Sequence, residues 1–231
     1  MQKPGSQRAG FLFYLRKMFV LSNTPSLANH FLNEMRDVRT QNDRMRFRKN
    51  LERMGEILAY EISKSFEYAE ETIQTPLTST SVFSAIDNPV IISVMRASLP
   101  FYTGFLNYFD KAESGFIGAF RDESTPGEIN VNLGYHASPN LNDKIVILAD
   151  PMLATGKSIV ESINTLLTHG KPKRIHIASV IAAPEGIQYI KENISCYYSL
   201  WVGAIDEKLN HQSYIVPGLG DAGDLSFGPK L

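Results

Sequence analysis

The sequence predicts an α/β protein, a mostly parallel twisted sheet with helices on both faces, with further helices at the N-terminal end. Three observations predict it. Lys144–Asp150 (KIVILAD) and Arg174–Ala183 (RIHIASVIAA) are apolar without alternation, as strands covered on both faces are. Ser158–Thr168, between them, puts Ile159, Ile163, Leu166 and Leu167 on one helical face. From residue 89 onward β-rich runs alternate with helical ones, the order that builds crossovers and a parallel sheet.

Taken in order, residues 1–25 read as an N-terminal extension and 26–231 as a single domain. Lys3 and Arg8 precede the apolar cluster Phe11–Leu15, but Arg16 and Lys17 interrupt it and no small-residue cleavage site follows, so a secretory signal is not expected; Met18 is an alternative start. Ser26 is placed to cap a helix carrying Leu27, Phe31 and Met35. A longer helix follows, with Phe47, Leu51, Met54, Leu58 and Ile62 in one stripe and Arg44, Arg46, Arg48 and Arg53 on the other side, read as a solvated face. Strands are expected at Val90–Met95, Gly115–Phe120, Glu128–Leu133 and Tyr197–Asp206, and a helix at Leu99–Tyr108. Gly170 is placed to close the helix Ser158–Thr168, and Pro184 to open a short one.

Composition narrows the function classes. Of 231 residues, 43% are apolar and the formal net charge is −1, which argues against a nucleic-acid or membrane-surface binder. No apolar run is long enough to span a membrane. A single cysteine, Cys196, forms no disulfide within the chain, which fits a reducing, cytoplasmic setting; its apolar neighbourhood reads as packing rather than catalysis.

In parallel sheets ligands bind at the carboxyl ends of strands, which directs attention to Asp150-Pro151-Met152-Leu153-Ala154-Thr155-Gly156-Lys157-Ser158. A loop between a buried strand and a helix offers free N–H groups and a positive dipole end, an anion site suited to phosphate. Thr155 and Ser158 add hydroxyl donors, Gly156 allows close backbone approach, and Asp150 is placed to accept from sugar hydroxyls. Gly156-Lys157-Ser158 mimics the end of a Walker A motif, but the glycine required five positions earlier is Pro151, so a P-loop kinase is not expected.

DPMLATGKS resembles the PRPP-binding loop of the uracil phosphoribosyltransferase family, and Tyr214–Asp224 (YIVPGLGDAGD) resembles its uracil-binding signature. Ala182–Gly186 (AAPEG), Met95-Arg96-Ala97 and Phe120-Arg121-Asp122-Glu123 also match in the family's order, so the resemblance runs from about residue 26 to the C-terminus. It implies a type I phosphoribosyltransferase fold with a C-terminal base-binding hood, and transfer of the phosphoribosyl group of PRPP to uracil, giving UMP and pyrophosphate. By similarity, Asp150 to Ser158 hold the 5-phosphate and ribose, Arg96 and Arg121 meet pyrophosphate, Ile215, Gly220, Asp221 and Ala222 contact uracil, and Asp221 also reaches PRPP through its Mg²⁺. Asp150, Arg96, Arg121 and Asp221 are thereby the expected catalytic residues. The family assembles as homodimers or larger, and some members respond to GTP as an activator. Lys157 stands where the family usually has a second glycine, Ser98 where it has glycine, Phe120 where tyrosine is common, and Ala149 where other phosphoribosyltransferases have a first acidic residue. Were Lys157 to need positive φ, lysine there would cost about 1 kcal/mol. Two rival readings share the fold: a regulator that binds uracil, UMP or PRPP, and a phosphoribosyltransferase for another base.

Overall fold

The computed structural model describes residues 17–122 and 130–230, with the side chains of 119–122 and 130–133 left out. The elements run β1 (Met18–Val20), α1 (Leu27–Arg36), α2 (Arg44–Ser63), β2 (Tyr68–Gln74), β3 (Ser79–Ala85), β4 (Val90–Met95), α3 (Leu99–Leu106), β5 (Glu113–Asp122), β6 (Asn130–Ala137), β7 (Ile145–Ala149), β8 (Met152–Leu153), α4 (Lys157–Leu167), β9 (Arg174–Ala182), α5 (Pro184–Asn193), β10 (Tyr198–Ile205), β11 (Lys208–Leu209), β12 (Ile215–Val216) and α6 (Ala222–Phe227). Among the described residues the main sheet has the order β1-β10-β9-β7-β4-β5-β6, with β8 pairing β9 off this path; every pairing is parallel except β5 with β6. The expected strand at Glu128–Leu133 falls partly outside the described residues, as does the cluster Phe11–Leu15.

The unbroken apolar strands are explained by two cores. Ile91, Ile147 and Val180 face Leu51, Met54 and Phe101 of α2 and α3. On the same three strands, Ile92, Val146 and Ile177 face Ile163 of α4 and Ile190 of α5. Each such fully buried side chain contributes roughly 1.5–3 kcal/mol. Ser26 caps α1 as its sequence suggests, accepting the N–H of Ala28 at 3.3 Å while Asn29 Oδ1 accepts the N–H of Ser26 at 2.8 Å.

Five details differ from the sequence reading. Met18–Val20, inside the stretch read as an extension, adds an edge strand beside Leu200–Val202. Residues 68–85 form an exposed antiparallel hairpin, with Leu77 94% and Phe83 74% exposed. The arginine face of α2 is only partly solvated: Arg48 is half-buried and donates to the Ser226 carbonyl at 2.8 Å, and the half-buried Arg53 lies 4.8 Å from the Phe31 ring centroid. Cys196 is half-buried at the rim of the second core, because it sits in the loop entering β10 rather than on a strand. The closing glycine is displaced by a residue or two as well, since Thr168 caps α4 and Gly170 follows with φ 141°.

One buried group has a consequence for stability. His176 in β9 is fully buried, and its Nδ1 accepts the indole N–H of Trp201 at 2.9 Å. Desolvation, aided by the nearby cations Arg174 and Lys17, holds its pKa down at about 3, against 6.5 for a free imidazole. The unfolded chain therefore binds the proton first. The stability that neutral His176 confers is complete above pH 6.5 and is lost as pH falls toward 3, by about 3 kcal/mol at about pH 4.5. Urea unfolding followed by the fluorescence of Trp201, the chain's one tryptophan, is expected to show this loss in the native chain and a much smaller one in His176→Gln, which keeps an acceptor without titrating. Equal acid sensitivity of the two would assign the effect elsewhere.

Candidate active site

Asp150 directly follows β7 and is buried, 8% exposed. Its N–H donates to Ala178 across the sheet, and its Oδ1 accepts the Met152 N–H at 3.1 Å, which turns the chain out of the strand. Gly156 then caps α4 with φ 79°, a conformation that disfavours any side chain. Lys157 is the first helical residue, not a positive-φ position, so the lysine carries none of the strain considered above. The N–H groups of Thr155, Gly156 and Ser158 have no protein acceptor among the described residues, and they sit at the positive end of an 11-residue helix.

The AAPEG segment supports this loop from below. A Cβ on Gly186 would run into the Ala154 carbonyl oxygen, and one on Gly156 would lie 2.8 Å from the Gly186 oxygen. The first turn of α5 thus touches the loop backbone directly. The sequence shows the segment as a motif but gives no reason for its glycine; the reason is this contact.

Arg96 follows β4, whose neighbour in the sheet is β7, so Arg96 and Asp150 leave adjacent strands at the same edge. The peptides Met95–Arg96 and Val216–Pro217 are cis. Arg96 Nη2 donates to Asp224 Oδ1 at 3.0 Å, with both side chains about 40% exposed. Arg121 lies on β5 opposite Val131, and β5 is the other neighbour of β4.

The C-terminal tail folds back to this edge. Lys208–Leu209 pairs with Ile215–Val216, the Leu209 N–H donates to Glu185 Oε1 at 2.9 Å, and Ile215, Leu219 and Ala222 join the core cluster that contains Ala154. Asp221 caps α6, its Oδ1 accepting the Asp224 N–H at 3.0 Å. Gly220 is exposed, and with Asp221 it lines an open cleft of about 260 Å³ that Gln41, Asn42 and Arg44 also line. The structure therefore brings Arg96, the loop 150–158 and the tail 215–222 to one end of the sheet. Tyr214 and His211 lie on the surface. Sequence reasoning missed Asp224, which holds Arg96, and Gln41, Asn42 and Arg44, whose only signal is proximity in space.

Among the described residues no three His, Cys, Asp or Glu side chains gather around one point. Asp221 offers one carboxylate oxygen, Oδ2, that is not engaged in capping. Such a donor set fits a Mg²⁺ ion whose other ligands are phosphate oxygens and water, the usual arrangement for this cation.

A mostly parallel sheet with a candidate anion loop at the carboxyl end of a central strand, and a C-terminal segment folded to the same edge, is the arrangement the motifs imply for a phosphoribosyltransferase. Residues 21–229 match the family model for uracil phosphoribosyltransferase, and the chain belongs to that family. It is 48% identical over 206 residues to a uracil phosphoribosyltransferase of Porphyromonas gingivalis, covering 89% of this chain and 95% of the relative. It is 40% identical over 203 residues to one from Thermococcus gammatolerans, covering 87% and 88%. Among solved structures, the AQ2163 protein of Aquifex aeolicus superposes with a TM-score of 0.81 at 32% identity, covering 91% of this chain and 98% of that one.

Proposed function

We propose that this chain transfers the 5-phosphoribosyl group of PRPP to N1 of uracil, releasing pyrophosphate and forming UMP. The observation that carries this is the meeting of Arg96, the loop after Asp150 and the tail at Gly220–Asp221 along one sheet edge. The bond from the anomeric carbon to pyrophosphate breaks as the bond to uracil N1 forms, through a transition state with charge on the ribose ring and on the leaving group, and the N1 proton passes to the departing pyrophosphate or to water. No protein nucleophile is required, and catalysis falls to positioning and electrostatics.

In this reading the N–H groups of Thr155, Gly156 and Ser158 and the start of α4 take the 5-phosphate, with the Lys157 ammonium beside it. Asp150 shapes the loop and meets the ribose hydroxyls. Arg96 and Arg121 take the pyrophosphate; Arg96 exchanges Asp224 for phosphate oxygens, which costs little because a half-exposed ion pair is weak. Mg²⁺ arriving with PRPP would neutralise charge on the leaving pyrophosphate, and Asp221 would hold it through the oxygen not used in capping. Ile215 and the backbone of Gly220, Asp221 and Ala222 read the edge of the base.

Assembly into at least a homodimer belongs to the same proposal, supported by the apolar side chains exposed on the β2–β3 hairpin, and sedimentation equilibrium tests it. A cytoplasmic setting is supported by the single cysteine; no helix among the described residues is long and apolar enough to cross a membrane. Activation by GTP rests on the family resemblance alone and is tested by turnover with and without it.

The reaction itself is tested by following PRPP consumption with uracil, cytosine, hypoxanthine and orotate. Uracil is expected to be preferred by about 10²-fold or more, because a site built for its donors and acceptors leaves buried groups unpaired with the others. Preference for another base overturns the substrate. No turnover of any base while UMP binds would make the chain a regulator.

A further inference from the structure

A tail that reads a base with its own backbone has to be held from outside, and Arg36, far away in sequence, holds this one together with Asp206. Arg36, the last residue of α1, forks onto Asp206 just past β10: Nη1 donates to Oδ2 at 2.8 Å and Nη2 to Oδ1 at 2.5 Å. Both also grip Gly218. Asp206 Oδ2 accepts the Gly218 N–H at 2.8 Å, and Arg36 Nη1 donates to the Gly218 carbonyl at 2.8 Å. Gly218 has φ 65°, and a Cβ there would strike the Ile215 oxygen, so the turn from Ile215 to Gly218 closes on itself. One residue on, Gln41 Nε2 donates to the Leu219 carbonyl at 3.2 Å and to the end of α1 at Met35 at 3.0 Å.

These bonds do more than tether. A trans peptide points its C=O and N–H in opposite directions. With the carbonyls of Gly218 and Leu219 both turned toward α1 and Gln41, the N–H groups of Leu219 and Gly220 are turned the other way. Gly220 and the residues after it thus inherit their orientation from Arg36 and Asp206. Asp206 is almost fully buried and Arg36 largely so, with side chains 5% and 21% exposed, and a planar fork on a carboxylate fixes angle as well as distance.

We infer that the Arg36–Asp206 pair is a positioning device that sets the orientation of the base-reading backbone and so governs uracil affinity and base discrimination; this rests on the uracil-transfer reading above. Neither residue touches substrate. Both act through Gly218.

The test is steady-state kinetics on Arg36→Met, Arg36→Lys and Gln41→Ala, with thermal unfolding measured alongside. Arg36→Met is expected to raise KM for uracil by about tenfold or more while KM for PRPP stays within about twofold, since the loop 150–158 is held by α5 and not by this pair. Arg36→Lys is expected to fall between, because an ammonium satisfies Asp206 or the Gly218 carbonyl but does not reproduce the fork. Gln41→Ala is expected to shift KM for uracil in the same direction by less. Uracil preference over cytosine should narrow in the same order. If Arg36→Met does not fold, the other two variants decide. Parallel rises in both KM values, or a lower unfolding temperature with unchanged uracil KM, would overturn the inference and leave a structural tie only. A native chain that turns over no uracil fails the reaction itself, whereas native turnover with unaltered variants sinks only the positioning role.

Discussion

Asp221→Ala is expected to lower kcat/KM for UMP formation by about 10²–10³-fold, the usual effect of removing one pre-placed electrostatic group from a water-poor site. In the proposed reading Asp221, which lies close to Gly223 and Arg96, meets the PRPP-borne cation with the carboxylate oxygen not used in capping. It has a second task, because its Oδ1 caps α6, and losing a cap costs about 1 kcal/mol on its own. Asp221→Asn separates the two. Asparagine keeps a capping oxygen and removes the charge, so its unfolding temperature should match that of the native chain while its turnover falls with that of Asp221→Ala. Native turnover in Asp221→Asn would take the charge out of the mechanism.

Gly186→Ala is expected to damage the phosphate site from outside it. The new methyl would meet the backbone of Ala154 and Leu153, which cannot rotate away as a side chain would. Either α5 retreats or the loop lifts, and overpacking of this kind destabilises by about 1–3 kcal/mol. Because the shifted atoms belong to the loop that is to hold the 5-phosphate, KM for PRPP should rise by about 10–100-fold with uracil KM much less affected. Gln188→Ala, on the exposed side of the same helix, serves as the control and should change neither. A Gly186→Ala chain that loses stability but keeps its PRPP affinity would show that the loop tolerates the displacement.

The parts of the fold legible in the sequence were those whose side chains go into a core. Ile145–Ala149 and Arg174–Ala182 are buried along almost their whole length, so their composition announces them, and the stripe of Phe47, Leu51, Met54 and Leu58 does the same for α2. Tyr68–Gln74 is exposed at every position and so offers no pattern to read. Met18–Val20 is too short to show one, and its pairing depends on a strand far down the chain. The same division holds at the site. Asp150 to Ser158 and Tyr214 to Asp224 are continuous runs, readable as motifs. Arg36 and Asp206 are 170 positions apart and unremarkable individually, so only the folded chain reveals that they act together. Arg121 lies on β5, next to β4 and within the strand rather than just past the stretch Gly115–Phe120 that the sequence marks out.

The edge strand has a consequence for synthesis. Met18 pairs with Leu200, 182 positions further along the chain. At about 5–20 residues per second, Met18–Val20 waits on the order of 10–40 s after leaving the ribosome before its neighbour exists. During that interval its backbone groups face water, or any other extended chain nearby. Lys17 on one side and Ser22, Asn23 and Thr24 on the other keep this stretch polar at its borders, which suits a segment that has to stay unattached until the molecule is nearly finished.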